Sequence, residues 1–126
     1  MIFGIGTDIV ECHRFESIWA RHGIRLAERV LSPDELADYR SYSDMPRFLA
    51  KRFAAKEAFA KAVGSGLRSP VSLRRISVTR NEWGKPAFRF DEVLSRHLDQ
   101  LGVKRHHLSV SDESSVIVAF VVLEQC

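Results

Sequence analysis

The sequence predicts an α+β fold in which helices pack on a mostly antiparallel sheet. Three observations carry that expectation. Behind a short apolar start, the first half repeats apolar residues at three- and four-residue spacing and ends its runs on glycine, as amphipathic helices do. The second half has short apolar runs joined by the turn-rich segments "NEWGK" and "DESS". No internal repeat, low-complexity tract or linker separates the halves, and the 126 residues suffice for one core, so residues 1–126 are expected to form a single domain.

The elements follow in order. Ile2, Gly4 and Gly6 alternate with Phe3, Ile5 and Thr7, which predicts a strand that turns into a helix around Asp8 to Val10. In "ECHRFESIWARHG" the spacing of Phe15, Ile18 and Trp19 predicts a short helix that stops at Gly23. "SPDELADYRSY" supplies Ser32 as N-cap, Pro33 at the first helical position and Glu35 at the third, a capping-box start. Pro46 to Val63 is rich in alanine and straight side chains and ends on "GSG", so a long helix is expected there. Leu73 to Arg80 and Pro86 to Phe90 read as a hairpin. Asp91 to Gly102 opens with acids, places Val93, Leu94, Leu98 and Leu101 on one face and closes on glycine, a further helix. "HHLSVS" and "VIVAFVVLE" form a last strand pair. Val116 to Leu123 is so apolar that it should be covered on both faces, by the chain's own helices or by a second copy.

Composition excludes several classes. Hydrophobic residues at 45% and charged residues at 28% describe a globular protein rather than a disordered or fibrous one. A net charge of +3 favours anionic partners without implying nucleic acid. The start lacks the basic leader and apolar core of a signal peptide, and no apolar run is long enough to span a membrane, so a cytoplasmic protein is expected. Cys12 and Cys126 stand at opposite ends, which suggests reduced thiols rather than a zinc cluster or disulfide framework.

Chemistry-bearing residues are few. On the long helix Leu49, Phe53, Ala60 and Val63 share a stripe; Lys56 falls inside it, with Glu57 and Lys61 at its border. Glu57 and Lys61 form either a solvated i,i+4 pair or a carboxylate and ammonium poised over a cleft. Asp8, at the meeting of strand and helix, either caps the helix or holds something else. The glycines of "GIGTDI" do not make a dinucleotide fingerprint, because Ile9 stands where the third glycine belongs and no βαβ unit follows. A Walker loop and a nucleophile elbow are also absent. His13, His22, His97, His106 and His107 lack zinc spacing; His107, beside Ser109 on a strand, could face a cleft.

"GIGTDIVE", "RFLAKRFAAKEAFAKAVGSGL" and "GKP", in that order and at these separations, resemble the holo-[acyl-carrier-protein] synthases, the small bacterial 4'-phosphopantetheinyl transferases. The likeness spans nearly the whole chain. It implies transfer of the phosphopantetheine arm of coenzyme A to a serine of apo acyl carrier protein, in support of fatty acid biosynthesis, with release of adenosine 3',5'-bisphosphate. It implies that Asp8 and Glu57 hold Mg²⁺, a hard cation that takes one or two carboxylates together with phosphates and water. Lys61, with Lys56 or Arg52, would then bind the phosphates of coenzyme A, and the segment Gly84, Lys85 and Pro86 would contribute to the same substrate site. Either Glu57 or a water on the metal that it orients would deprotonate the serine. Two departures stand out: Val10 occupies the place of a second acid found in larger two-domain relatives, and Ser111 and Asp112 replace a Thr-His pair of many members. A histidine's role there is not inherited by His107.

The resemblance further implies a homotrimer with active sites between subunits. Arg14 and Arg21 lie on one face of the first helix, with Arg25 and Arg29 close behind. This basic face is either solvated or the surface that meets the acidic carrier protein, and it is expected to lie apart from Asp8 and Glu57. Two rival readings remain. Arg74, Arg75, Arg80, Arg89 and Phe88 could mark an RNA-binding hairpin, with steep salt dependence and indifference to magnesium and coenzyme A. Alternatively, the same fold could bind the carrier and leave it unmodified.

Overall fold

The computed structural model describes residues 1–39 and 42–125. Arg40 and Ser41 of the second predicted helix, and the thiol expected at Cys126, lie outside the described residues. In chain order the elements are β1 (Ile2–Glu11), α1 (Cys12–His22), α2 (Ile24–Val30), α3 (Pro33–Asp38), α4 (Met45–Val63), β2 (Ile76–Arg80), β3 (Pro86–Phe90), α5 (Glu92–Leu101), β4 (Val103–Asp112) and β5 (Val116–Gln125).

Local chemistry sets most of these boundaries. Ser32 accepts from the Glu35 backbone N–H while the Glu35 carboxylate accepts from the Ser32 N–H, the predicted capping box. Asp91 caps α5 through the Leu94 N–H, and Gly64 ends α4 in the left-handed conformation. Two expectations and one omission need correction. β1 does not turn at Asp8; pairing with β5 carries it on through Asp8, Ile9, Val10 and Glu11, so Asp8 caps no helix. Helix α2, seven residues long, was too short for its periodicity to show in the sequence. Leu73–Arg75 forms a 3₁₀ turn rather than the first part of a strand.

The strands form two antiparallel sheets, β1-β5-β4 and the hairpin β2-β3. α4 crosses the larger sheet. Ile117, Ala119, Val121 and Leu123 of β5 are buried on the side facing it, and Leu49, Ala58, Phe59 and Ala60 of the helix are buried as well. Burial runs much further around α4 than one stripe. Arg52 and Lys56 are buried too, because α3 and β2 bring a carboxylate and carbonyls to them.

Among the described residues nothing covers the opposite face of the sheet. Opposed pairs in an antiparallel ladder share a face, so Ile5, Thr7 and Ile9 of β1 lie beside Val122, Phe120 and Val118 of β5. Ile5 is 59% exposed, Ile9 66% and Phe120 43%. The expectation that β5 is covered on both faces therefore fails for a single copy.

Between α3, α4 and β2 sits a buried ionic cluster. Glu35 accepts from Lys56 Nζ (2.5 Å), Arg52 Nη1 (2.9 Å) and the Val78 N–H (2.9 Å). Lys56 also donates to the carbonyls of Val30 and Leu73, and Arg52 to that of Val78. Burial holds the Lys56 ammonium down to about 8, partly offset by Glu35. Burial raises the Glu35 carboxyl, but Lys56 and two backbone donors outweigh it and leave it below its ordinary value.

Candidate active site

The inward face of β1 reads Gly4, Gly6, Asp8, Val10, and its glycines decide where Asp8 goes. A Cβ on Gly4 would lie 2.0 Å from the Ala62 carbonyl oxygen, and one on Gly6 would lie 2.0 Å from that of Ala58. Only a strand without these side chains can lie against α4 at this depth. Asp8, two residues on along the same face, thereby reaches the stretch of α4 that carries Glu57 and Lys61. Lys61 Nζ donates to Asp8 Oδ1 at 3.1 Å and to the Thr7 carbonyl at 3.0 Å. The Asp8 side chain is 15% exposed and that of Lys61 52%.

Asp8 and Glu57 line one cavity of about 580 Å³, walled by Phe15, Ile18 and Phe53 and edged by Arg14 and Arg29. Partial burial, and then the charge of Asp8, push the Glu57 carboxyl above its ordinary value, while Lys61 pulls it back. Two carboxylates facing one cavity form an anionic, oxygen-only donor set. Among the described residues no group of three or more His, Cys, Asp or Glu side chains gathers as a metal cage. Two hard oxygens with open space beside them suit Mg²⁺, which keeps waters and shares phosphates.

The other expected residues divide. Lys56 is fully buried and its ammonium donates to Glu35, Val30 and Leu73, so the expectation that it meets phosphate is wrong: no donor remains free. Arg52 spends Nη1 on Glu35 and Val78 and holds Nη2 at 3.5 Å from the Tyr42 hydroxyl. It borders a separate cavity of about 180 Å³ together with Arg47, Lys51 and Arg80. Gly84 adjoins this second region through Arg80, which donates to its carbonyl; Lys85 follows it in the turn and Pro86 opens β3 opposite Arg80. None of Arg52, Gly84, Lys85 and Pro86 lines the cavity of Asp8 and Glu57. Within one chain the expected coenzyme A residues thus form two groups.

Arg14, Arg21, Arg25 and Arg29 are all exposed. Arg25 and Arg29 edge a neighbouring groove of about 470 Å³ between α1 and α2, floored by Ile18 and Leu26. The expectation that the basic face lies apart from the carboxylates is corrected for Arg14 and Arg29, which α1 and α2 bring to the Asp8 cavity; Arg21 lines neither space.

Sequence reading missed Arg47 and Lys51. Arg47 donates to Asp112 and to the carbonyls of Glu113 (2.9 Å) and Ser114 (2.7 Å), and Lys51 pairs with Asp112 at 2.8 Å. The departure noted at Asp112 was the available signal. His107 pairs with Glu124 at 2.5 Å on the open sheet face, while His106 packs edge-on against Phe88 and Phe90. The RNA reading loses its aromatic, since Phe88 is buried against Phe59. Arg75 and Arg89 are bridged to Asp91 and Asp34.

Comparison with known proteins adds an independent line. Residues 4–120 match the family described as the 4'-phosphopantetheinyl transferase superfamily. The holo-[acyl-carrier-protein] synthase of Laribacter hongkongensis is 56% identical over 98% of this chain and 99% of its own length. A crystal structure of the Neisseria meningitidis holo-[acyl-carrier-protein] synthase superposes with a TM-score of 0.96 at 46% identity, covering 99% of this chain and 100% of that one. The Bacillus anthracis synthase, solved in complex with coenzyme A (3',5'-ADP), superposes with a TM-score of 0.84 at 35% identity over 100% of this chain and 99% of the other. The glycine-bedded Asp8, the facing Glu57 and this full-length likeness lead to one conclusion: the chain belongs to the 4'-phosphopantetheinyl transferase superfamily, among its small holo-[acyl-carrier-protein] synthases.

Proposed function

We propose that this chain transfers the 4'-phosphopantetheine arm of coenzyme A to a serine hydroxyl of apo acyl carrier protein. The observation that carries the reading is that Asp8 and Glu57 line one cavity whose edge is basic, with Lys61 bonded to Asp8. Asp8 and Glu57 would hold Mg²⁺, which supplies positive charge to the pyrophosphate as its anhydride bond breaks. Lys61 stands beside them to bind the same phosphates. The serine oxygen bonds to the phosphorus bearing pantetheine, the bond from that phosphorus to the bridging oxygen breaks, and adenosine 3',5'-bisphosphate leaves with that oxygen. Glu57, or a water that it orients on the metal, would take the serine proton. Incubation with coenzyme A, Mg²⁺ and apo carrier should add the mass of the arm to the carrier serine; an unmodified carrier that still binds the chain would identify an idle docking subunit instead.

The active unit is a homotrimer. Two features support this: the sheet face of Ile5, Ile9, Val118 and Phe120 stands open in one copy, and the expected coenzyme A residues form two groups that a neighbouring copy could unite. Arg52, Gly84, Lys85 and Pro86 of one copy would then complete the site of Asp8, Glu57 and Lys61 in the next. Phe120→Asp should convert the trimer to folded monomers in sedimentation analysis and abolish transfer with it. A trimer that survives the substitution places the contact elsewhere.

The carrier docks on α1 and α2. Arg21 and Arg25 lie outside the carboxylate cavity, so the double variant Arg21→Glu, Arg25→Glu should raise KM for the carrier, most at low salt, and leave KM for coenzyme A unchanged. One exposed pair contributes only about 0.2–1 kcal/mol, so each single reversal should have a modest effect. We place the protein in the cytoplasm, as the family resemblance implies; separately, no helix among the described residues is long and apolar enough to cross a membrane.

A further inference from the structure

Lys61 occupies an unusual place for a residue assigned to phosphates. Its ammonium is on Asp8, one of the two carboxylates proposed to hold the metal, and a second bond to the Thr7 carbonyl fixes it there. Glu57 stands one helical turn before Lys61 and lines the same cavity as Asp8. Without Lys61, two carboxylates would face that cavity with no cation bonded to Asp8. Lys61 occupies Oδ1 and leaves Oδ2 open, but an ammonium and a divalent ion held on one carboxylate repel each other at that separation, so the two cations compete for Asp8.

We propose that Lys61 is the resident cation of the metal site: it neutralises Asp8 while the site is empty of metal, is displaced from Asp8 when the divalent ion arrives, and only then is free to reach the phosphates. The inference rests on the reading of Asp8 and Glu57 as metal ligands and adds an order of events to it. Lysine suits such an exchange. Its four-carbon stem turns freely, its head is a compact point charge, and the Lys61 side chain is half exposed, so its ammonium is not enclosed where it meets the strand. Arginine at this place would keep the charge but, with a broader planar head, would not leave Asp8 less occupied.

The consequence is a competition that can be measured without turnover. Mn²⁺ binding to the full-length protein is followed by the electron paramagnetic resonance of the free ion, in the absence of coenzyme A and carrier. Lys61→Met should bind Mn²⁺ about one-and-a-half- to fivefold tighter than the wild type, the range that a partly exposed ion pair converts to. Lys61→Gln should do the same, and Lys61→Arg should not. Unchanged or weaker binding in both neutral variants overturns the exchange. Asp8→Asn and Glu57→Gln separate this failure from a failure of the site. If they abolish Mn²⁺ binding while Lys61→Met does not tighten it, the exchange alone is wrong. If they leave Mn²⁺ binding intact, the ligand assignment falls, and the exchange with it.

Discussion

Asp8→Asn and Glu57→Gln are each expected to lower the rate of arm transfer by roughly two to three orders of magnitude, the usual loss when a proton acceptor or a preorganised charge is removed from a reacting centre. The two side chains do not fill the core. Asp8 sits at the lip of the cavity with Lys61 as its partner, and Glu57 is half-buried on the same wall, so neither substitution opens a void. Thermal unfolding should therefore stay close to that of the wild type, because the ion pair lost from Asp8 is partly exposed and contributes only about 0.2–1 kcal/mol. Near-normal turnover at limiting magnesium in either variant would show that the carboxylates do not act together. The activity should also vanish reversibly on chelation.

The largest loss of stability is expected at Glu35, away from the cavity. Its carboxylate is the common acceptor for Lys56, Arg52 and the Val78 N–H, all in the space between α3, α4 and β2. Glu35→Ala leaves two buried cations without their counter-charge, a change that typically costs about 3–5 kcal/mol. Urea unfolding with an unchanged slope would read this directly. Lys56→Met added to Glu35→Ala should recover part of the loss, since the most deeply buried stranded charge is then gone. A Glu35→Ala protein as stable as the wild type would mean that water reaches Lys56. The cluster also ties the hairpin β2-β3 to α4, so the loss of Glu35 should disturb Arg52 and its cavity before it disturbs Asp8.

The split between legible and hidden features follows the range of the interactions. The starts of α3 and α5 and the end of α4 were legible because caps act across three or four residues: Ser32 with Glu35, Asp91 with Leu94, Gly64 behind Ala60. Pro86 to Phe90 was legible through its turn, and the chemistry of Asp8, Glu57 and Lys61 through a family resemblance carried by contiguous motifs. Charge and helical period, however, could not tell Lys56 from Lys61. Both sit on one helix with carboxylates nearby in sequence, and only packing shows that Lys56 meets Glu35, 21 residues away, in a closed interior while Lys61 meets Asp8 at an open edge.

The sequence alone determined the α+β class, the long central helix and the residue types that can hold a divalent cation and phosphates. The tertiary structure decided which of them meet. β1 runs past Asp8 because β5 pairs with it there, and a strand's end depends on its partner as much as on its own residues. Gly4 and Gly6 acquire their meaning from the carbonyls of Ala62 and Ala58, far along the chain. The outward isoleucines of β1 and the exposed Phe120 acquire theirs from the absence of a covering layer in one copy. Helix signals survive in a single sequence because their bonds close within a turn, whereas an active site assembled from a strand and a distant helix exists only after the chain has folded.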